Sequence, residues 1–132
     1  MKWVSKSNRK KYSIKRLINS FGYATKGIIS VYKTEQNILI HTIIAIIVLC
    51  LAFYFKVSSI ESCILALSIG LVIAFEIINT AIEYTIDMAM PNIHPMAKLA
   101  KDSSSGAVLI TAITSIVIGL IIFIPKIMEL FN

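Results

Sequence analysis

Acidic side chains are scarce in this chain, with seven Asp and Glu among 132 residues against thirteen Lys and Arg. Cysteine is nearly absent. Cys50 and Cys63 are the only two, neither has metal-ligand spacing, and each reads as a small apolar filler. The usual nucleotide-binding signatures are missing as well: no G-x-x-x-x-G-K-[ST] loop, no glycine-rich kinase loop and no D-F-G. C-x-x-C, H-E-x-x-H and G-x-S-x-G are also lacking, which removes the common thiol, zinc and serine-hydrolase chemistries. No internal repeat and no low-complexity linker divides the chain. Charged residues of either sign make up only 15%, too few for the surface of a soluble domain.

Apolar residues fill the space those absences leave. They form 57% of the chain, and the mean hydropathy is +0.81. A soluble domain of this size has too little interior to hide so much apolar surface. The apolar residues also come in blocks. Ile38 to Phe55 carries no formal charge, Ile60 to Ile82 is interrupted by Glu61 and Glu76, and Ala107 to Ile124 carries none. Each block approaches or exceeds the roughly 20 residues a helix needs to cross about 30 Å of hydrocarbon. The expectation is an all-α integral membrane protein, one domain over residues 1–132, with spans at about 38–55, 60–83 and 104–124. The first run starts late, is long and has no small-residue cleavage site behind it, so it does not read as a signal peptide.

Nine of the thirteen cations precede the first span: Lys2, Lys6, Arg9, Lys10, Lys11, Lys15, Arg16, Lys26 and Lys33. The positive-inside rule then places the N-terminus in the cytoplasm of a cell membrane protein. An anionic inner leaflet, rather than nucleic acid, is the expected partner. After the basic residues 1–11, Ile14, Leu17, Phe21, Ala24, Ile28 and Val31 recur at three- and four-residue steps. That pattern makes 1–34 a basic amphipathic helix lying on the membrane surface. Gly22 and Gly27 weaken it, marking a kink, close helix packing or a backbone approach to phosphate.

The second span holds the residues that need explaining. Glu76, Asn79, Thr80, Glu83 and Asp87 follow at i, i+3, i+4, i+7 and i+11, within a narrow sector of one helix. Burying a charge in a span costs about 2.5–3.5 kcal/mol on insertion scales. Interhelical hydrogen bonds in an oligomer could explain such a stripe, as could a cation-coupled transporter. Three carboxylates and an amide also invite a divalent cation. Elsewhere the polar residues have ordinary readings. Glu35 starts a helix, His41 hydrogen-bonds near the headgroups, and Glu61 is a solvated first-turn acid. Pro91 to Pro95 breaks the chain, Pro95 starts a new helix, and the third span ends at Pro125-Lys126.

Topology brings Glu35, Glu83, Asp87, Lys101 and Asp102 to one interface, with Glu76 about 10 Å deeper at a 1.5 Å rise per residue. Carboxylates with an amide suit Mg²⁺ bound together with phosphate, and lysines supply charge to phosphate. The combination reads as phosphoryl transfer from a nucleotide to a lipid alcohol.

Glu76-Ile-Ile-Asn79-Thr-Ala-Ile-Glu83, Asp87 and His94-Pro95-Met-Ala-Lys98-Leu-Ala-Lys101-Asp102 resemble the small prokaryotic diacylglycerol kinase family. Gly22-Tyr23-Ala-Thr-Lys26-Gly27 and Glu35-Gln-Asn37 extend the likeness, which runs from about Arg16 to the end of the third span. The resemblance implies an ATP- and Mg²⁺-dependent lipid kinase, a homotrimer with three transmembrane helices and a surface helix per subunit and with sites shared between subunits. It implies Glu76 as general base on the lipid hydroxyl, and Glu35 and Glu83 as Mg²⁺ ligands with the nucleotide. Tyr23, Asn79, Lys101 and Asp102 would contact or position ATP, and Arg16 would lie near the substrate. The diacylglycerol branch carries charged residues early in the first span, where this chain has Leu39 and His41. Glu35-Gln-Asn37-Ile-Leu-Ile-His41 and the His94-Pro95 pair look more like the Gram-positive branch that phosphorylates undecaprenol.

Overall fold

A computed structural model describes residues 13–90, 92 and 94–131. The basic segment 1–11 and the proline of the expected break, Pro91, lie outside the described residues. Four helices follow in order: α1 (Ile14–Thr34), α2 (Gln36–Tyr54), α3 (Ser59–Ala89) and α4 (Pro95–Glu129). Among the described residues there is no strand. The last three are long and apolar enough to cross a membrane.

Two of the spans are parts of longer helices. With 31 and 35 residues, α3 and α4 run for about 46 and 52 Å, against about 30 Å of hydrocarbon. Each is therefore longer than the hydrocarbon is thick, and the Lys101–Asp87 pair joins the two beyond their apolar stretches. Where the third span is expected to end, at Pro125-Lys126, the helix itself continues to Glu129 with that proline inside it. Pro125 removes a single N–H from the ladder so close to the helix end that just one further turn depends on it.

Glu35 alone separates α1 from α2. Its backbone is extended (φ −108°, ψ 122°), while its N–H still donates to the Val31 carbonyl. Gly22 and Gly27 sit within the unbroken α1, with no neighbour within 4 Å of where a Cβ would stand. The close approach that the glycines could serve is not found within the chain. The apolar stripe of α1 is uncovered, with Ile14, Leu17, Phe21 and Ile28 exposed and only Val31 buried. Two hydrogen bonds tie the end of this helix down: Tyr32 with Thr42 at 2.8 Å, and Thr34 with Tyr84 at 2.7 Å.

The opposite end of the bundle is held by packing and capping. Lys56 takes a left-handed conformation (φ 49°). The Val57 N–H then reaches back to the Ala52 carbonyl, and the Lys56 N–H to that of Phe53, closing α2 in a Schellman motif. Ser58 and Glu61 form a capping box at the start of α3. Glu61 also meets Lys126 at 3.2 Å, so it clamps α3 to the end of α4 rather than standing free in solvent. Leu65, Ile122 and Phe123 form a buried cluster joined by Val48, Ala52, Phe55, Val57 and Ile118.

The buried face of α3 continues from that cluster to the other end. Leu65, Ser68, Val72, Glu76, Asn79 and Thr80 are its buried residues, spaced in steps of one helical turn. Apolar at one end and polar at the other, this single stripe positions the site.

Candidate active site at the polar end of the bundle

Glu76 is 3% exposed. Its carboxylate Oε1 lies 3.2 Å from Nε2 of His41 on α2. The Thr80 hydroxyl, one turn on, donates to the Glu76 carbonyl at 3.0 Å, so the buried hydroxyl is satisfied within its own helix. Glu35 and Glu83 lie near enough to act electrostatically on the Glu76 carboxylate.

A second polar chain leads toward the membrane surface. The Asn79 amide donates to Glu83 Oε1 at 2.9 Å. Its carbonyl oxygen accepts from Ser104 Oγ at 2.5 Å and from Ser105 Oγ at 3.4 Å, both on α4. Asn79 is thereby fixed on both sides, and it orients Glu83. Further out, Lys101 pairs with Asp87 across the α3–α4 hairpin. Lys98 pairs with Asp102 within α4. Lys101 and Asp102, neighbours in sequence, thus turn to different partners. Pro95 begins α4 as expected, and His94 caps it, its Nδ1 accepting from the Met96 N–H.

Two spaces lie beside this cluster, and Glu76 borders the first of them. One, of about 380 Å³, is bordered by Asn37, His41, Glu76, Asn79 and Ser105 together with four apolar residues. The other is an apolar groove of about 330 Å³ running between α2, α3 and α4 from His41 to Ile127. His41 and Ala112 line both. The buried Glu76 carboxylate therefore borders the polar chamber, and its neighbour His41 stands where that chamber meets the apolar groove.

The structure gathers Glu76, Asn79 and Glu83, with Glu35 nearby. Tyr23 and Arg16 are elsewhere in the single chain. They lie twelve and nineteen residues before Glu35 on a continuous helix, about 18 and 28 Å away, and Tyr23 is 70% exposed. Among the described residues, no group of three or more His, Cys, Asp or Glu side chains could hold a metal by itself. Glu35 and Glu83 still fit Mg²⁺, because that ion is commonly bound by one or two carboxylates plus substrate phosphates and waters.

Sequence reasoning missed His41 and Ser104. His41 looks like an isolated headgroup residue until α2 is docked on α3, and Ser104 lies in a serine run that resembles a linker. Their four-residue and three-residue distances from Asn37 and Lys101 were the only available signal, and periodicity alone does not rank it.

A family model described as prokaryotic diacylglycerol kinase matches residues 22–123. The undecaprenol kinase of Bacillus subtilis is 42% identical over 113 residues, covering 86% of this chain and 92% of that protein. A diacylglycerol kinase of Synechocystis is 35% identical over 115 residues, covering 86% of this chain and 66% of its own length. A third relative, the diacylglycerol kinase of Haemophilus influenzae, is 34% identical over 108 residues, covering 81% and 92%.

Proposed function

This chain belongs to the prokaryotic diacylglycerol kinase family, and on that premise we propose that it is a membrane lipid kinase passing the γ-phosphoryl group of ATP to undecaprenol. The product is undecaprenyl phosphate. Family membership sets aside transport and a purely structural role.

Glu76, buried at the chamber wall beside the His41 that also lines the groove, carries the reading. An alcohol whose tail lies in the groove presents its hydroxyl to that carboxylate. Glu76 takes the hydroxyl proton as the oxygen bonds to the γ-phosphorus. The bond from that phosphorus to the bridging oxygen breaks, and ADP leaves. Glu83, oriented by Asn79, and Glu35 would hold Mg²⁺ together with the triphosphate. When bound, Mg²⁺ supplies neutralisation of phosphate charge. Lys101, Asp102, Asn79 and Tyr23 contact or position the nucleotide, and Arg16 lies near the lipid.

Two of these residues belong to α1, too far from Glu76 within one subunit. A homotrimer with composite sites answers that distance, and the uncovered apolar faces offer the surface for it. The cationic N-terminal region favours an N-terminus in the cytoplasm, where ATP is.

The groove favours a polyprenol over a diacylglycerol. Ser68 Oγ donates to the Leu65 carbonyl at 3.0 Å, and Ser115 Oγ to the Ser68 carbonyl at 3.3 Å. The described polar hydrogens along the groove are thus used inside the protein. An isoprenoid chain needs none. The two ester carbonyls of a diacylglycerol would each lose water without replacement, at about 1–3 kcal/mol. Diacylglycerol as acceptor, giving phosphatidic acid, is the second reading, favoured by the two relatives named diacylglycerol kinase.

Purified protein in micelles with Mg²⁺ and labelled ATP, offered each lipid separately, tests this. Faster turnover of undecaprenol is expected. Faster turnover of diacylglycerol reverses the substrate assignment, and no transfer to either from a folded, ATP-binding preparation ends the kinase reading.

A further inference from the structure

The reaction as derived asks one carboxylate to meet one hydroxyl, yet a glutamate side chain has three rotatable bonds. Something must fix it. Asn79 does not, because its amide is given to Glu83 and its carbonyl oxygen to two serines. Nor does Thr80, whose hydroxyl goes to the backbone. Among the described residues, His41 is the one basic side chain within ion-pair distance of the Glu76 carboxylate, its Nε2 lying 3.2 Å from Oε1.

Resting on the lipid-kinase reading, we propose that His41 is the positioning residue for the base: its Nε2–H holds Oε1 of Glu76 and leaves Oε2 for the lipid hydroxyl. The placement of His41 supports this. It sits on α2, a different helix from Glu76, so the bond fixes the carboxylate relative to the groove wall rather than to its own helix. It also borders both spaces, at the depth where a hydroxyl passes from one to the other. A donor at that point keeps the carboxylate from swinging into the chamber toward Asn79 and Glu83, where it would meet the nucleotide site. His41 is 24% exposed at its side chain, against 4% for Glu76, so it forms the wall and Glu76 the recess.

The test uses the full chain in micelles and four variants: His41→Leu, His41→Gln, Glu76→Gln and the double variant His41→Leu with Glu76→Gln. For His41→Leu, kcat is expected to fall about 10²-fold, the scale of a misplaced reacting group, while KM for Mg-ATP holds within twofold. His41→Gln keeps an N–H donor at similar reach and is expected to recover most of kcat. Adding His41→Leu to Glu76→Gln is expected to cost nothing more, because the base it positions is already gone. Mg-ATP binding by each variant reports that it is folded. The proposal is overturned if His41→Leu keeps kcat within twofold, if His41→Gln is as slow as His41→Leu, or if the histidine change costs the same factor with and without Glu76. Those results leave wild-type turnover intact, whereas failure of the kinase reading removes turnover from the wild type itself.

Discussion

Replacing Asn79 with leucine isolates the polar chain that orients Glu83. Leucine has similar reach but neither donates nor accepts, and the chamber beside Asn79 leaves room for it. Glu83 loses the amide bond of 2.9 Å. A hydrogen bond to a charged group contributes about 1.5–3 kcal/mol. If the whole loss falls on the metal–nucleotide complex, KM for Mg-ATP rises about 10- to 100-fold, at 1.4 kcal/mol for each factor of ten. Ser104→Ala removes a support of Asn79 and leaves Ser105 at 3.4 Å. It should move the same constant in the same direction by less, about 2- to 10-fold for a neutral bond. The assay is the initial rate of lipid phosphorylation at saturating lipid, with Mg-ATP varied. An unchanged KM with a collapsed kcat in Asn79→Leu would refute the reasoning. It would place Asn79 with the base rather than with the nucleotide.

Three further outcomes are expected. Glu76→Gln should retain ATP binding but lose about 10²-fold or more in turnover; near-full activity would remove it from the base role. Glu83→Gln should raise the Mg²⁺ concentration needed for half-maximal rate, and an unchanged metal dependence would count against it as a ligand. Lys56→Gly relieves the left-handed backbone at the α2–α3 turn, worth about 1–2 kcal/mol, against a glycine entropy cost of about 0.5–1 kcal/mol. The thermal midpoint in micelles should therefore rise, and a lowered midpoint would show that the aliphatic stem of Lys56 matters more than its backbone.

The spans were legible because burial in lipid needs only length and apolarity, which Ile38–Tyr54 and Ala107–Ile124 show plainly. The polar stripe from Glu76 to Glu83 was legible because one helix fixes its own periodicity. Contacts between helices were not. Whether His41 faces Glu76, or Ser104 faces Asn79, depends on the rotation of each helix about its axis. That rotation is set by packing at the far end, where Leu65, Ile122 and Phe123 meet. Lys101 and Asp102 show the same limit, since adjacent residues point about 100° apart on a helix and their partners lie on different surfaces. The break at Glu35 was legible from the polar run Thr34-Glu35-Gln36-Asn37, whereas the run of α4 past Pro125 to Glu129 was not.

The corner at Glu35 has a mechanical consequence. Helix α1 is 21 residues long, an arm of about 30 Å attached through one extended residue. A tilt of 10° about that residue carries Ile14 through about 5 Å and Tyr23 through about 3 Å, by the same rise per residue. The Glu35 backbone, at the pivot, scarcely moves. An arm on a fluid surface can ride its undulations while the carboxylate at its root keeps its place beside Glu76. Of the two ends of α1, the still one adjoins the carboxylate proposed to hold Mg²⁺.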